Sequence, residues 1–112
     1  MEFTNQMDLV RLNAAADKAS KLMKVLSNPD RLLLLCQMTQ AERSVSELEA
    51  ITSIQQPMLS QQLTVLRLEG VVNTRREGKQ IFYSIASNEA LAVMQVLYQL
   101  YCEKQYDICH DN

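Results

Sequence analysis

Glycine and proline are scarce, two of each in 112 residues, which leaves little room for long loops or a succession of hairpins. Apolar residues nowhere run uninterrupted for the ~18 positions a membrane span requires. The amino-terminal stretch "MEFTNQMDLVRL" lacks the basic-then-apolar layout of a signal peptide. A cytoplasmic chain with no membrane partner is the expectation. Cysteine is sparse and odd in number: three residues, with no CxxC or other close-spaced zinc pattern. In a reducing compartment that argues against a disulfide framework and leaves isolated core thiols or a redox role. The single histidine, His110, has no nucleophile and orienting group to work with, so nothing points to an enzyme. No cofactor and no metal are expected. There is no internal repeat and no low-complexity tract.

What is present is helix-forming: Leu, Ala, Met, Gln and Glu dominate, in a length that suits one domain over residues 1–112. Net charge is −2, but it is unevenly spread. Residues 1–54 carry six basic and seven acidic groups, residues 55–86 four basic and two acidic, and residues 87–112 one basic and four acidic. The positive segment is the one whose contacts matter.

Leu12, Ala15, Ala16, Ala19, Leu22, Met23 and Leu26 make an apolar stripe at helical spacing, predicting a first helix over about 6–26. "SNPDR" ends it and starts the next, with Asn28 as N-cap and Pro29 at the first helical position. That next helix holds "RLLLLCQM", whose leucines on every face predict a central helix wrapped by neighbours. "SVSE" is a capping box, Ser44 with Glu47, opening a short helix to about Ile51. After the tight turn "TSI" a helix is predicted over about 56–69, with Leu59, Leu63 and Leu66 inward and Gly70 as its C-terminal cap. "VVNTRR", "EG" and "KQIFYSI" read as a hairpin over about 71–85, turning at Glu77-Gly78. Ser87 or Asn88 caps a last helix over about 89–105. Its "LAVMQVLYQLYC" is apolar on more than one side, as in a helix that packs within its subunit and against a partner.

The order is α-α-α-α-β-β-α: mainly α, with a two-stranded β-hairpin as the wing of a winged helix-turn-helix. "LSNPDRLLLL", "SVSELEAI", "MLSQQLTVLRLEGVV" and "RREGKQIFYSI" resemble, in order and spacing, the ArsR/SmtB family of bacterial repressors over roughly residues 20–102. One position departs: many members have histidine where this chain has Gln62. The resemblance implies a homodimer paired through the first and last helices, and release from operator DNA when an inducer binds.

With its leucines turned inward, the 56–69 helix would present Gln56, Ser60, Gln61 and Thr64 to double-stranded DNA. Glutamine can pair bidentately with adenine, and serine or threonine can serve base or phosphate. Arg67, Arg75, Arg76 and Lys79 are expected to contact phosphate or the minor groove, giving affinity and register. Two subunits would set two such helices ~34–36 Å apart on a palindromic operator.

Family members differ in what they sense. The thiolate metal site of the arsenic and cadmium sensors falls here on Ser44 and Ser46, and serine is a poor ligand for soft metals. The zinc and cobalt site needs Asp and His on the last helix, and residues 89–105 contain neither. Cys36 and Cys102, 66 positions apart, resemble the sensor pair of the sulfide- and persulfide-responsive branch typified by BigR, SqrR, YgaV and HlyU. There the two thiols become bridged by inserted sulfur, with a reactive sulfur species as inducer. Three alternatives remain open. The first is a metal or general thiol-oxidant sensor using Cys102, Cys109 and His110. The second is a virulence-type regulator that relieves silencing rather than repressing. The third is a dimeric interaction protein without a DNA target.

Overall fold

Asn28 and Pro29 set the break between the first two helices. In the computed structural model, which describes residues 6–103, α1 (Gln6–Leu26) stops there and α2 (Pro29–Gln37) begins. The Asn28 side chain accepts from the Arg31 amide at 3.1 Å, and Pro29 takes a first-turn position that needs no N–H.

A two-residue strand, β1 (Arg43–Ser44), leads into α3 (Val45–Thr52). The capping box is complete: the Glu47 amide donates to Ser44 Oγ at 3.1 Å and the Ser44 amide donates to Glu47 Oε1 at 2.8 Å. Ser53, with φ of 62°, turns the chain toward α4 (Met58–Leu68). Leu59, Leu63 and Leu66 are buried, as their spacing predicts. Past α4, the Gly70 amide donates to Arg67 O at 3.1 Å and the Val71 amide to Leu66 O at 3.0 Å. That double closure needs a left-handed residue between, and Gly70 supplies it with φ of +75°.

The hairpin pairs β2 (Val72–Glu77) with β3 (Gln80–Ile85), Val72 opposite Ile85 and Glu77 opposite Gln80. Its turn is therefore Gly78-Lys79, one residue later than the Glu77-Gly78 that the sequence suggests. Gly78, at φ of +63°, takes the first central position of a two-residue turn. The sheet also has a third strand: β1 lies along the other side of β3, Arg43 opposite Tyr83 and Ser44 opposite Phe82, in the order β1-β3-β2.

Ser87 Oγ accepts from the Ala90 amide at 3.0 Å and starts α5 (Asn88–Leu97). The expected helix to about 105 does continue, but as a π-helical turn over Tyr98–Glu103. Residues 104 and 105, with Cys109 and His110, lie outside the described residues.

One core joins these elements, with Leu34 and Leu35 of α2, Leu48, Leu59, Leu63, Leu66 and Met94 at its centre. Neighbours do not wrap α2 on all sides, because Leu33 is 41% exposed. Two larger apolar faces are also uncovered. Among the α1 residues whose burial is described, only Val25 and Leu26 are buried, while Leu12 and Met23 stand exposed. At the far end of the chain Val96, Tyr98, Leu100 and Tyr101 are exposed. No described helix is long and apolar enough to cross a membrane.

Candidate nucleic-acid interface and thiol cleft

The helix-turn-helix is α3 and α4, and α4 is held in place from behind. Arg31 Nη1 donates to Gln62 Oε1 at 2.9 Å, and Gln62 Nε2 in turn reaches Met58 Sδ at 3.3 Å. Gln62 is thus a half-buried support of α4. Its outward residues Ser60, Gln61, Thr64 and Arg67 are all exposed. Gln56 is a correction: α4 starts at Met58, so Gln56 precedes the helix instead of lying on it. Its Oε1 accepts from the Ser60 amide at 3.1 Å and from Ser60 Oγ at 2.6 Å. The pair works as a cap on the first turn, where Pro57 provides no side-chain bond. Gln61 and Thr64 remain as uncommitted polar groups on the presented face.

The four basic residues expected to meet phosphate are not alike. Arg67, Arg76 and Lys79 are exposed. Arg75 is engaged within the protein. Its Nε donates to Glu42 Oε2 at 3.2 Å, its Nη2 pairs with Glu42 Oε1 and its Nη1 with Glu77 Oε2. The guanidinium also lies over the Phe82 ring, 4.7 Å from the centroid. These bonds hold the Glu42 carboxyl below its usual range and raise the Arg75 guanidinium further still. Glu42 had no sequence signal, since it lies 33 residues from its partner.

Cys36 and Cys102, both free thiols, line one cleft of about 820 Å³ between α2 and the last helix, together with Leu33, Arg43, Met94 and Tyr98. Leu33 explains itself here: the face of α2 left open by the core is the floor of this cleft. Cys36 is half-buried and Cys102 exposed. Burial pushes the Cys36 pKa up, and the neighbouring charge of Cys102 adds to the rise. At the alternative metal position, Ser44 Oγ and Ser46 Oγ are 3.2 Å apart and bonded to each other, and Ser44 is consumed by the α3 cap. Among the described residues no three His, Cys, Asp or Glu side chains converge as a metal site.

Residues 28–74 match the family model "Bacterial regulatory protein, arsR family". The chain is 44% identical over 103 residues to the biofilm growth-associated repressor of Agrobacterium fabrum, covering 92% of this chain and 88% of that protein. It is 39% identical over 97 residues to the transcriptional activator HlyU of Vibrio cholerae, covering 87% and 90%. Among solved structures, the transcriptional repressor BigR from Xylella fastidiosa superposes with a TM-score of 0.78 at 42% identity, covering 88% of this chain and 98% of that one.

Proposed function

The chain belongs to the arsR family of bacterial regulatory proteins, and on that premise we propose that it is a thiol-gated regulator, bound to its operator when reduced and released when Cys36 and Cys102 are bridged. It is a winged helix-turn-helix, DNA-binding regulator of transcription and not an enzyme.

The observation that carries the gating is the shared cleft. Two thiols far apart in sequence face one space, with nothing else in it that reads as a ligand set among the described residues. Each thiol can take a sulfane sulfur from a persulfide donor, releasing the donor's thiol. Two such side chains then condense to a three-sulfur bridge with loss of hydrogen sulfide. A bridge with inserted sulfur spans more than the 4.4–6.8 Å between Cα atoms that a plain disulfide tolerates. It would draw the last helix against α2.

The chain acts as a homodimer in this reading. The exposed apolar faces of α1 and of the Val96–Tyr101 stretch are what a second copy would cover. Reorienting the last helix then changes the spacing of the two α4 helices on a palindromic operator, with Gln61, Thr64, Arg67, Arg76 and Lys79 against the duplex. Because relatives include both a repressor and an activator, the sign of the effect on transcription belongs to the operator's position in its promoter.

The test compares DNA binding by reduced, persulfide-treated and peroxide-treated protein side by side, with mass spectrometry of each form. Loss of binding with added sulfur joining Cys36 to Cys102 supports the reading. Cys36→Ser and Cys102→Ser should each bind DNA and fail to respond, and a response surviving in either removes the dithiol. Equal response to peroxide, through a plain disulfide, makes the protein a general thiol-oxidant sensor instead.

A further inference from the structure

Arg75 sits on the wing among exposed cations, yet its bonding is that of a brace. Arg75 and Phe82 are direct partners across β2 and β3, and Ser44 of β1 is the partner of Phe82 on the other side. Glu42, two residues before Ser44, reaches across β3 to meet the guanidinium side-on through both carboxylate oxygens. The link runs from the residue just before the first strand over the face of Phe82 to the outer strand, so it spans the sheet. Its body end is fixed. Thr39 Oγ1 donates to Cys36 O at 2.9 Å, and Arg43 Nε donates to Gln37 O at 2.8 Å, so both flanks of Glu42 are tied to the end of α2. One cation here faces two carboxylates, Glu42 and Glu77, which leaves no net positive charge for phosphate at this point.

We infer that Glu42 and Arg75 form a brace that sets the angle of the wing against the body, and that Arg75 serves DNA binding as a positioning residue, not as a phosphate ligand. The inference rests on the hairpin being part of the DNA surface. It departs from the simple reading of Arg75 as one more wing cation.

A side-on fork needs arginine, whereas a phosphate contact is also served by the point charge of lysine. The experiment therefore measures affinity and its salt dependence on a duplex that the unmodified 112-residue chain selects from a random-sequence pool. The variants are Glu42→Gln, Arg75→Lys, the reversed pair Glu42→Arg with Arg75→Glu made together with Glu77→Gln so that the moved carboxylate meets no like charge, Glu77→Gln alone as the reference for that reversed pair, and Arg76→Gln with Lys79→Gln. Thermal melting of each reports folding. For a brace, Glu42→Gln and Arg75→Lys each weaken binding about threefold, on the scale of an exposed ion pair. The slope of affinity against salt stays unchanged, and the reversed pair recovers most of the loss. If Glu42→Gln or Arg75→Lys lowers the melting temperature, the reversed pair, which keeps the link with its charges exchanged, decides.

If Arg75→Lys binds as well as the unmodified chain while Glu42→Gln tightens binding, Arg75 is a masked phosphate ligand and the brace is overturned. No change in either variant overturns it too. In that case a weakened Arg76→Gln with Lys79→Gln variant, with a shallower salt slope, leaves the wing on the DNA. An unaffected one removes the wing from the DNA surface and the brace with it.

Discussion

The guanidinium of Arg31 donates to Gln62 Oε1 at 2.9 Å and to Val25 O at 2.6 Å, joining the end of α1, the start of α2 and the middle of α4 at one side chain. It is half-buried, so its bonds are made away from full competition with water. Arg31→Ala should lower the free energy of unfolding by about 2 kcal/mol, the scale of hydrogen bonds from a charged donor. Gln62→Ala should cost about 1 kcal/mol. Urea unfolding of both and of the double variant checks this. A double variant no worse than Arg31→Ala would show that Gln62 acts through Arg31.

Gly70 offers a cleaner backbone test. An added Cβ would meet nothing within 4 Å, yet φ is +75°. Gly70→Ala should therefore destabilise by about 1 kcal/mol from conformation alone. The urea midpoint should fall with the m-value unchanged.

The two cleft thiols should differ in rate and in pH dependence. Cys102 is exposed, and Cys36 is half-buried with its pKa raised by burial and by its neighbour. At neutral pH, iodoacetamide should label Cys102 first, and Cys36 should catch up only when pH passes the ordinary thiol range, since the thiolate is the nucleophile. Peptide mapping of timed samples measures this. For stability the sign follows from the same shift. The native state holds the Cys36 proton more tightly than the unfolded chain does. Above the ordinary thiol pKa the unfolded chain ionises first, and stability falls as pH rises through the folded value.

Specificity and affinity should separate on the DNA surface. Gln61→Ala and Thr64→Ala should relax base preference at positions of the selected duplex while leaving the salt slope in place. Arg76→Gln should weaken all sequences alike and make the salt slope shallower by about 1 for each phosphate it no longer neutralises. Binding to the selected duplex and to its single-base variants, over a salt series, distinguishes the two classes.

Legibility follows the range of the interactions. Caps and stops are readable because their partners are three to five residues apart: Asn28 with Arg31, Ser44 with Glu47, Leu66 with Val71. The leucine face of α4 is readable because burial repeats with the helix. β1 is invisible, since two residues have no period and gain their strand geometry from Tyr83 and Phe82 some 40 positions on. The hairpin turn slips by one because Glu77-Gly78 and Gly78-Lys79 both supply a glycine, and only the pairing of Glu77 with Gln80 chooses between them. Gln56 has the spacing of a helical residue but merely caps the helix that follows it. In the candidate site, the sequence points to Cys36 and Cys102 through a resemblance. Their common cleft, the arginine held by Glu42 and the arginine held to Gln62 depend on contacts that no local pattern encodes.

The outer position of β2 has a further consequence. With the order β1-β3-β2, one side of β2 is a row of main-chain donors and acceptors that no described strand of this protomer fills. Open rims of this kind recruit strands from other molecules, and charge along them is a common safeguard. Arg75, Arg76 and Glu77 lie on that rim, all exposed. Charge at these positions is expected to discourage such pairing, so replacing Arg76 and Glu77 with threonine should raise light scattering as the protein is concentrated.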